Sequence, residues 1–130
     1  MNTEVLSADD YESVHRASRR LADRYGVVTL NAMVEAWEAL VRDVEEGFDA
    51  ELVWEYPQML RCRAWLAEAW PELTDRIRAE RQAELDALDA RFELATVPLH
   101  GQAENTKWHS RRPLRIVGDA SLDLPVSWRA

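Results

Sequence analysis

The chain has 130 residues, 47% apolar and 31% charged, with a net charge of −8. That length and composition give one globular domain with a real core and exclude a disordered chain. The acidic balance, with a pI near 4.9, repels nucleic-acid phosphates and anionic membranes and favours a basic partner.

Helix signals begin at Leu6-Ser7-Ala8-Asp9-Asp10-Tyr11. Ser7 is a capping residue, Asp9 and Asp10 suit the positive end of a helix dipole, and Leu6 and Tyr11 have the spacing of a hydrophobic staple. Tyr11, Val14, Ser18, Leu21 and Tyr25 then recur in steps of three and four, and Gly26 ends the segment, which predicts a first helix over 8–25. Val27-Val28 is a connector, short enough to make the first two helices antiparallel neighbours.

The second helix carries the strongest pattern of the chain. Leu30, Met33, Val34, Trp37, Leu40, Val41, Val44 and Phe48 form one apolar stripe, with Thr29 as N-cap and Gly47 as the residue past the C-terminus. Its opposite face is acidic, with Glu35, Glu38, Asp43, Glu45 and Glu46 against Arg42. ELVWEY reads as a helical turn before Pro57, which is placed to open a third helix over 57–69 with Met59, Cys62, Leu66 and Ala69 inward and Trp65 on a flank. Pro71 starts or kinks a fourth helix over 71–95, in which Glu72–Arg76 and Arg76–Glu80 have i,i+4 spacing. After Thr96, Pro98, Gly101, Pro113, Gly118 and Pro125 forbid a long helix. Trp108, Leu114, Ile116, Val117, Leu122, Leu124, Val126 and Trp128 make the segment too apolar for a free linker, and LRIV suits a short strand. The expected fold is therefore all-α: a three- to four-helix bundle over 1–95, with an extended, mostly non-helical C-terminal tail over 96–130 lying on it. Arg111, Arg112 and Arg115 of that tail are expected beside bundle carboxylates, since 5 basic groups stand against 3 acidic ones over 96–130 and 5 against 11 over 1–49.

Chemical motifs are sparse. His15, His100 and His109 lack metal-ligand spacing, and Cys62, the single cysteine, suits a small core residue. With four glycines there is no phosphate loop, and the expectation is no enzyme, no metal and no cofactor. Ala22, Gly26 and Val27 fit the turn of a helix-turn-helix, but the base-reading positions would be Val28, Thr29, Leu30, Met33 and Val34, mostly apolar and backed by acids. Direct nucleic-acid binding is not expected. There is no membrane-spanning run and no signal-peptide pattern, so a cytoplasmic location is expected.

Six tryptophans are unusual for this length. Trp37 belongs to the core stripe, while Trp54, Trp65 and Trp70 cluster around the third helix as a platform for the tail or for a partner. Two stretches, Trp37…Val41…Val44-Glu45-Glu46-Gly47-Phe48 and Leu88-Asp89-Ala90-Arg91-Phe92 followed by Thr96, resemble small uncharacterised helical proteins of GC-rich actinobacteria. Trp108 stands alone where those proteins carry adjacent tryptophans. The resemblance covers about a third of the chain and implies lineage and a helical fold, with no activity attached.

The functional expectation is a small acidic interaction module, an inhibitor, antitoxin or immunity-type protein that occludes a basic partner. The alternative is a phage or mobile-element assembly protein whose tail docks on a neighbouring subunit. Partner-facing candidates are Glu35, Glu38, Asp43, Glu45, Glu46, Trp54, Trp65, Trp70, Arg111 and Arg112, a surface that also suits a homodimer. Trp37→Ala should cost about 3–5 kcal/mol by emptying the bundle centre. A thermal melt within a few degrees of the parent would remove Trp37 from the core.

Overall fold

A computed structural model describes residues 6–99, 107–118, 124, 125 and 128. The fold is all-α with an extended C-terminal tail: α1 (Ala8–Tyr25), α2 (Leu30–Glu46), a single turn α3 (Tyr56–Met59), α4 (Arg61–Ala69) and α5 (Asp75–Leu94). Short pairs of strands tie the tail down. β1 (Phe48–Asp49) runs parallel to β4 (Ile116–Val117), and β2 (Thr96–Pro98) runs antiparallel to β3 (Arg111–Pro113). His100, Leu122 and Val126, singled out in the sequence, lie outside the described residues.

α2 forms where its stripe and caps place it. Thr29 Oγ1 accepts from the Ala32 amide at 3.0 Å, and the buried residues are Leu30, Val34, Trp37, Leu40, Val41 and Val44, continued by Phe48, with Met33 half-buried. Gly47 past the end has φ +120°, and a Cβ there would stand 2.6 Å from Val117 Cγ1 on β4. Glycine is needed at this position both for its backbone and for the passage of the tail strand. α2 packs on α4 and α5, while α1 packs chiefly on α4 and the turn after it, so the expected direct pairing of α1 with α2 is only slight. The extended connector Gly26–Thr29 carries α2 across, held by Ser18 Oγ donating to the Val28 carbonyl at 2.6 Å.

α1 has the expected bounds, and its inward face keeps Leu21, with Val14 and Tyr25 half-buried against the core, but it adds polar residues and turns Tyr11 outward. Asp10, Ser13, Ala17 and Leu21 are buried, and Tyr11 is 56% exposed. Polar groups point inward because they join two helix starts. The Asp10 carboxylate accepts from the Ser7 amide at 2.9 Å, while Ser7 Oγ accepts from the Asp10 amide at 3.2 Å, a complete capping box. Asp10 also accepts from Thr74 Oγ1 at 2.6 Å, and Ser13 Oγ accepts from the Thr74 amide at 3.3 Å. Thr74 is itself the N-cap of α5, bonded by the Ile77 amide at 3.3 Å. This cap sets the start of the last helix four residues later than Pro71 suggests. Pro71 instead sits in a tight 3-10 turn, Trp70–Glu72. Glu72 there pairs with Arg20 of α1 rather than with Arg76, which takes Glu80 at 3.5 Å. The α3–α4 pair matches the expected third helix apart from a break at Leu60, but Trp65 is wholly buried instead of lying on a flank.

The Asp10 carboxyl is held below its usual 3.8, first by the Thr74 hydroxyl and then by the Ser7 amide. A carboxylate depressed in the folded state stabilises above its unfolded pKa, and this contribution fades as pH falls through the folded value. Asp10→Asn should therefore melt below the parent at neutral pH, and the gap should narrow below about pH 4. A gap unchanged between about pH 7 and about pH 3 would show that the two caps do not share this charge.

Candidate protein-interaction surface

The acidic side of α2 faces solvent. Glu35, Asp43 and Glu46 are exposed, Glu38 and Glu45 half-buried. Their environments differ. Glu38 takes Arg42 at 3.1 Å. Glu45 accepts both arms of the Arg91 guanidinium at 2.8 Å, which holds its carboxyl below the usual range. Among the described residues, Glu35, Asp43 and Glu46 make no ion pair. Of the five candidates on this helix, three present unneutralised charge and two are bound within the fold.

The tryptophans divide by burial. Trp65 belongs to the core, so it is withdrawn as a partner-facing residue. Its Nε1 is buried without a hydrogen-bond partner among the described residues. Trp70 is half-buried and donates to Gln82 Oε1 at 2.7 Å, fastening the turn after α4 to α5. Trp54 is 64% exposed. Sequence spacing does not separate these three, because each sits on a different element: Trp54 just past the turn Ala50–Leu52, Trp65 in α4 and Trp70 in the 3-10 turn that follows it.

The tail arginines meet carbonyls and a hydroxyl in place of the expected carboxylates. Arg111 is buried, and its guanidinium donates to Thr96 Oγ1 at 2.9 Å, to the Thr96 carbonyl at 2.9 Å and to the Glu93 carbonyl at 3.3 Å. Arg115 donates to the Glu45 carbonyl at 3.2 Å, and Arg112 to the Pro113 carbonyl at 2.9 Å. The last carbonyls of α2 and α5 have no acceptor role left inside their helices, so a cation at each C-terminus satisfies both the hydrogen bond and the dipole. Arg111 is thereby a structural residue and is also withdrawn as a partner-facing one.

A node missed in the sequence lies where α2, α4 and α5 meet. Asp89 Oδ1 accepts from Trp37 Nε1 at 3.0 Å and from Arg63 Nε at 2.9 Å, and Asp89 Oδ2 takes Arg63 Nη2 at 2.8 Å. The Arg63 guanidinium lies 4.6 Å from the Trp108 ring centroid, a cation–π contact from α4 to the tail. A cavity of about 390 Å³ opens beside this node, walled by Asp86, Asp89 and Glu93 of α5 and by Trp108. Its one sequence signal was an aspartate on an otherwise inward-leaning face of α5.

Burial pushes the Cys62 thiol up to about 11, which keeps it protonated at neutral pH. Among the described residues no three His, Cys, Asp or Glu side chains converge as metal ligands, and no helix is long and apolar enough to cross a membrane. No protein-family model, curated protein or solved structure matches this chain.

Asp89→Ala strands the Trp37 N–H and most of the Arg63 guanidinium and should cost about 1–3 kcal/mol. Arg63→Met should cost less, and the double variant should lose clearly less stability than the sum of the two single losses in urea denaturation, because each single change leaves its partner unpaired. Additivity within about 0.5 kcal/mol would dissolve the node into independent contacts.

Proposed function

We propose that this chain is a small acidic interaction module, of inhibitor, antitoxin or immunity type, that occludes a basic protein partner in the cytoplasm by shape and charge, with no chemistry of its own. The observation that carries the reading is the unneutralised face of α2: Glu35, Asp43 and Glu46 stand exposed without an ion pair among the described residues, and Arg42 is committed to Glu38. Charges left unpaired on a folded surface steer an oppositely charged partner and act more on its association rate than on final affinity. An assembly role, with the tail docking on a neighbouring subunit, has less support. The tail strands β3 and β4 pair within the same chain, and Trp128 is buried against Phe48 and Tyr56.

The test begins with cross-linking in cells to capture a partner, followed by rate measurements on the purified pair. A basic protein bound one to one is expected. The triple change Glu35→Lys, Asp43→Lys, Glu46→Lys should leave the melt within about 0.5 kcal/mol of the parent, since it breaks no pair. It should slow association several-fold, and salt raised from about 0.05 to 0.5 M should slow the parent similarly. Association unchanged by both treatments, or self-assembly of the chain into large multimers, would overturn this reading.

A further inference from the structure

A groove left between the starts of α1, α2 and α5 lies beside the acidic stripe of α2. We infer that this groove is the anchor point of the interface and receives an apolar side chain of the partner, one flanked by lysine or arginine. The inference rests on the reading that the partner is basic.

The groove follows from how α1 is rotated. The hydrogen bonds that join Asp10 and Ser13 to Thr74 fix which face of α1 points inward, and they leave Tyr11 turned outward at 56% exposure. Tyr11 then forms one wall of a cavity of about 250 Å³. The other walls include Leu6 and Val14, both half-buried, and the buried Leu30 and Ile77. Each of the three helices begins with a side-chain cap, Ser7, Thr29 and Thr74. The walls therefore stand on fixed backbone and need little ordering when a partner arrives, which lowers the entropic cost of binding.

Size and charge select the occupant. Pockets for free small molecules begin at roughly 300 Å³, so this smaller one suits a single side chain. The charged groups that line it are engaged within the fold. Arg81 donates to Asn31 Oδ1 at 2.7 Å and meets Glu84 at 3.1 Å, and Glu80 meets Arg76 at 3.5 Å. An apolar group entering there takes water away from few polar atoms that need it. One turn along α2 from Asn31 stands Glu35, exposed and without an ion pair among the described residues. Residues four apart share a helix face at about 5–6 Å, so a cation next to the inserted side chain reaches Glu35 while the apolar group fills the groove. An apolar centre with a charged rim is the ordinary anatomy of a specific interface, and tyrosine is enriched where its energy concentrates. A second copy of the chain fits less well. A two-fold contact sets one patch against itself, which would gather two Glu35 side chains and two chains of net charge −8.

The experiment uses the full chain and three blocked tripeptides, Lys-Leu-Lys, Lys-Ser-Lys and Glu-Leu-Glu, followed by NMR of side-chain methyl groups. The peptides are titrated to about 10 mM, since one anchor side chain gives millimolar binding. Lys-Leu-Lys should shift the Val14, Leu30 and Ile77 methyl signals saturably, and the other two peptides should bind several-fold more weakly. His15→Trp, at an exposed position on the rim, and Glu35→Gln should each weaken Lys-Leu-Lys several-fold without moving the melt. If Lys-Ser-Lys shifts amides around Glu35 and Asp43 as strongly as Lys-Leu-Lys while the groove methyls stay in place, the basic-partner reading stands and the anchor is refuted. If Glu-Leu-Glu fills the groove as well as Lys-Leu-Lys, charge plays no part there and the inference falls. Groove methyls unmoved by every peptide also refute the anchor, and the association rates described above then judge the basic-partner reading separately. A dimer in sedimentation that His15→Trp dissolves would seat a second copy in the groove and overturn the inference.

Discussion

The fold turns on the need of one indole N–H for an acceptor. Trp37 is the largest side chain of the α2 stripe and sits wholly inside, 4.8 Å from the Phe92 ring. Buried there unpaired, its Nε1 would lose a hydrogen bond to water without replacement. Asp89 supplies the acceptor, and that requirement fixes the rotation of α5 about its axis. A carboxylate beside a core then needs a cation, which Arg63 brings from α4. Three helices are thus set in register by one aspartate, and Trp108 over Arg63 carries the same constraint to the tail. Trp65 is the contrasting case. It is as buried as Trp37 but its Nε1 has no partner among the described residues, so its packing has to outweigh a desolvated donor.

What the sequence made legible was what is local. Caps, glycines and apolar period located α1 and α2 to the residue, because Ser7, Thr29, Gly26 and Gly47 act on backbone atoms within a few positions. The misreadings share a different origin. On α1 the apolar period places Tyr11 inward, yet the structure exposes it and buries Asp10 and Ser13, since their partner Thr74 lies more than sixty residues on. The start of α5 was taken from Pro71 for the same reason. Tail arginines were assigned to carboxylates by charge count, whereas the free carbonyls at two helix ends are acceptors that no count of charges reveals. Of the candidate surface, the acidic face of α2 was visible as a pattern. The split of Trp54 from Trp65 was not, since both lie within one short aromatic-rich stretch.

Neutralisation on this surface is lopsided. On the α1–α4 side Arg20 pairs with Glu72, Arg24 and the Tyr25 hydroxyl meet Glu68, and the Arg61 guanidinium lies 4.6 Å from the Tyr25 ring centroid. Glu68 is held below the usual carboxylate range there, by Arg24 first and Tyr25 second. Exposed pairs of this kind add little stability. Their effect is on the field: they consume Arg20 and Arg24 of α1, and among the described residues no ion pair reaches Glu35, Asp43 or Glu46. The net negative charge of the chain is therefore felt mostly on α2 and the turn after it.

The tail enters this argument as part of the acidic surface. β4 lies against β1, and the Phe48 amide donates to the Arg115 carbonyl at 2.9 Å, directly at the point where α2 gives way to the turn. Arg115 closes the α2 C-terminus from outside, and Trp128 supports Phe48 and Tyr56 from within. A run of six carboxylates between Arg42 and Arg61 repels itself and, left to local forces, would favour an open chain. Here it is held in one shape by apolar anchors below and by a cationic segment from the far end of the chain. That arrangement separates two tasks that charge alone sets in conflict. The tail absorbs the strain of gathering like charges at α2 and its turn, while their outward sides keep the field that a basic partner would meet.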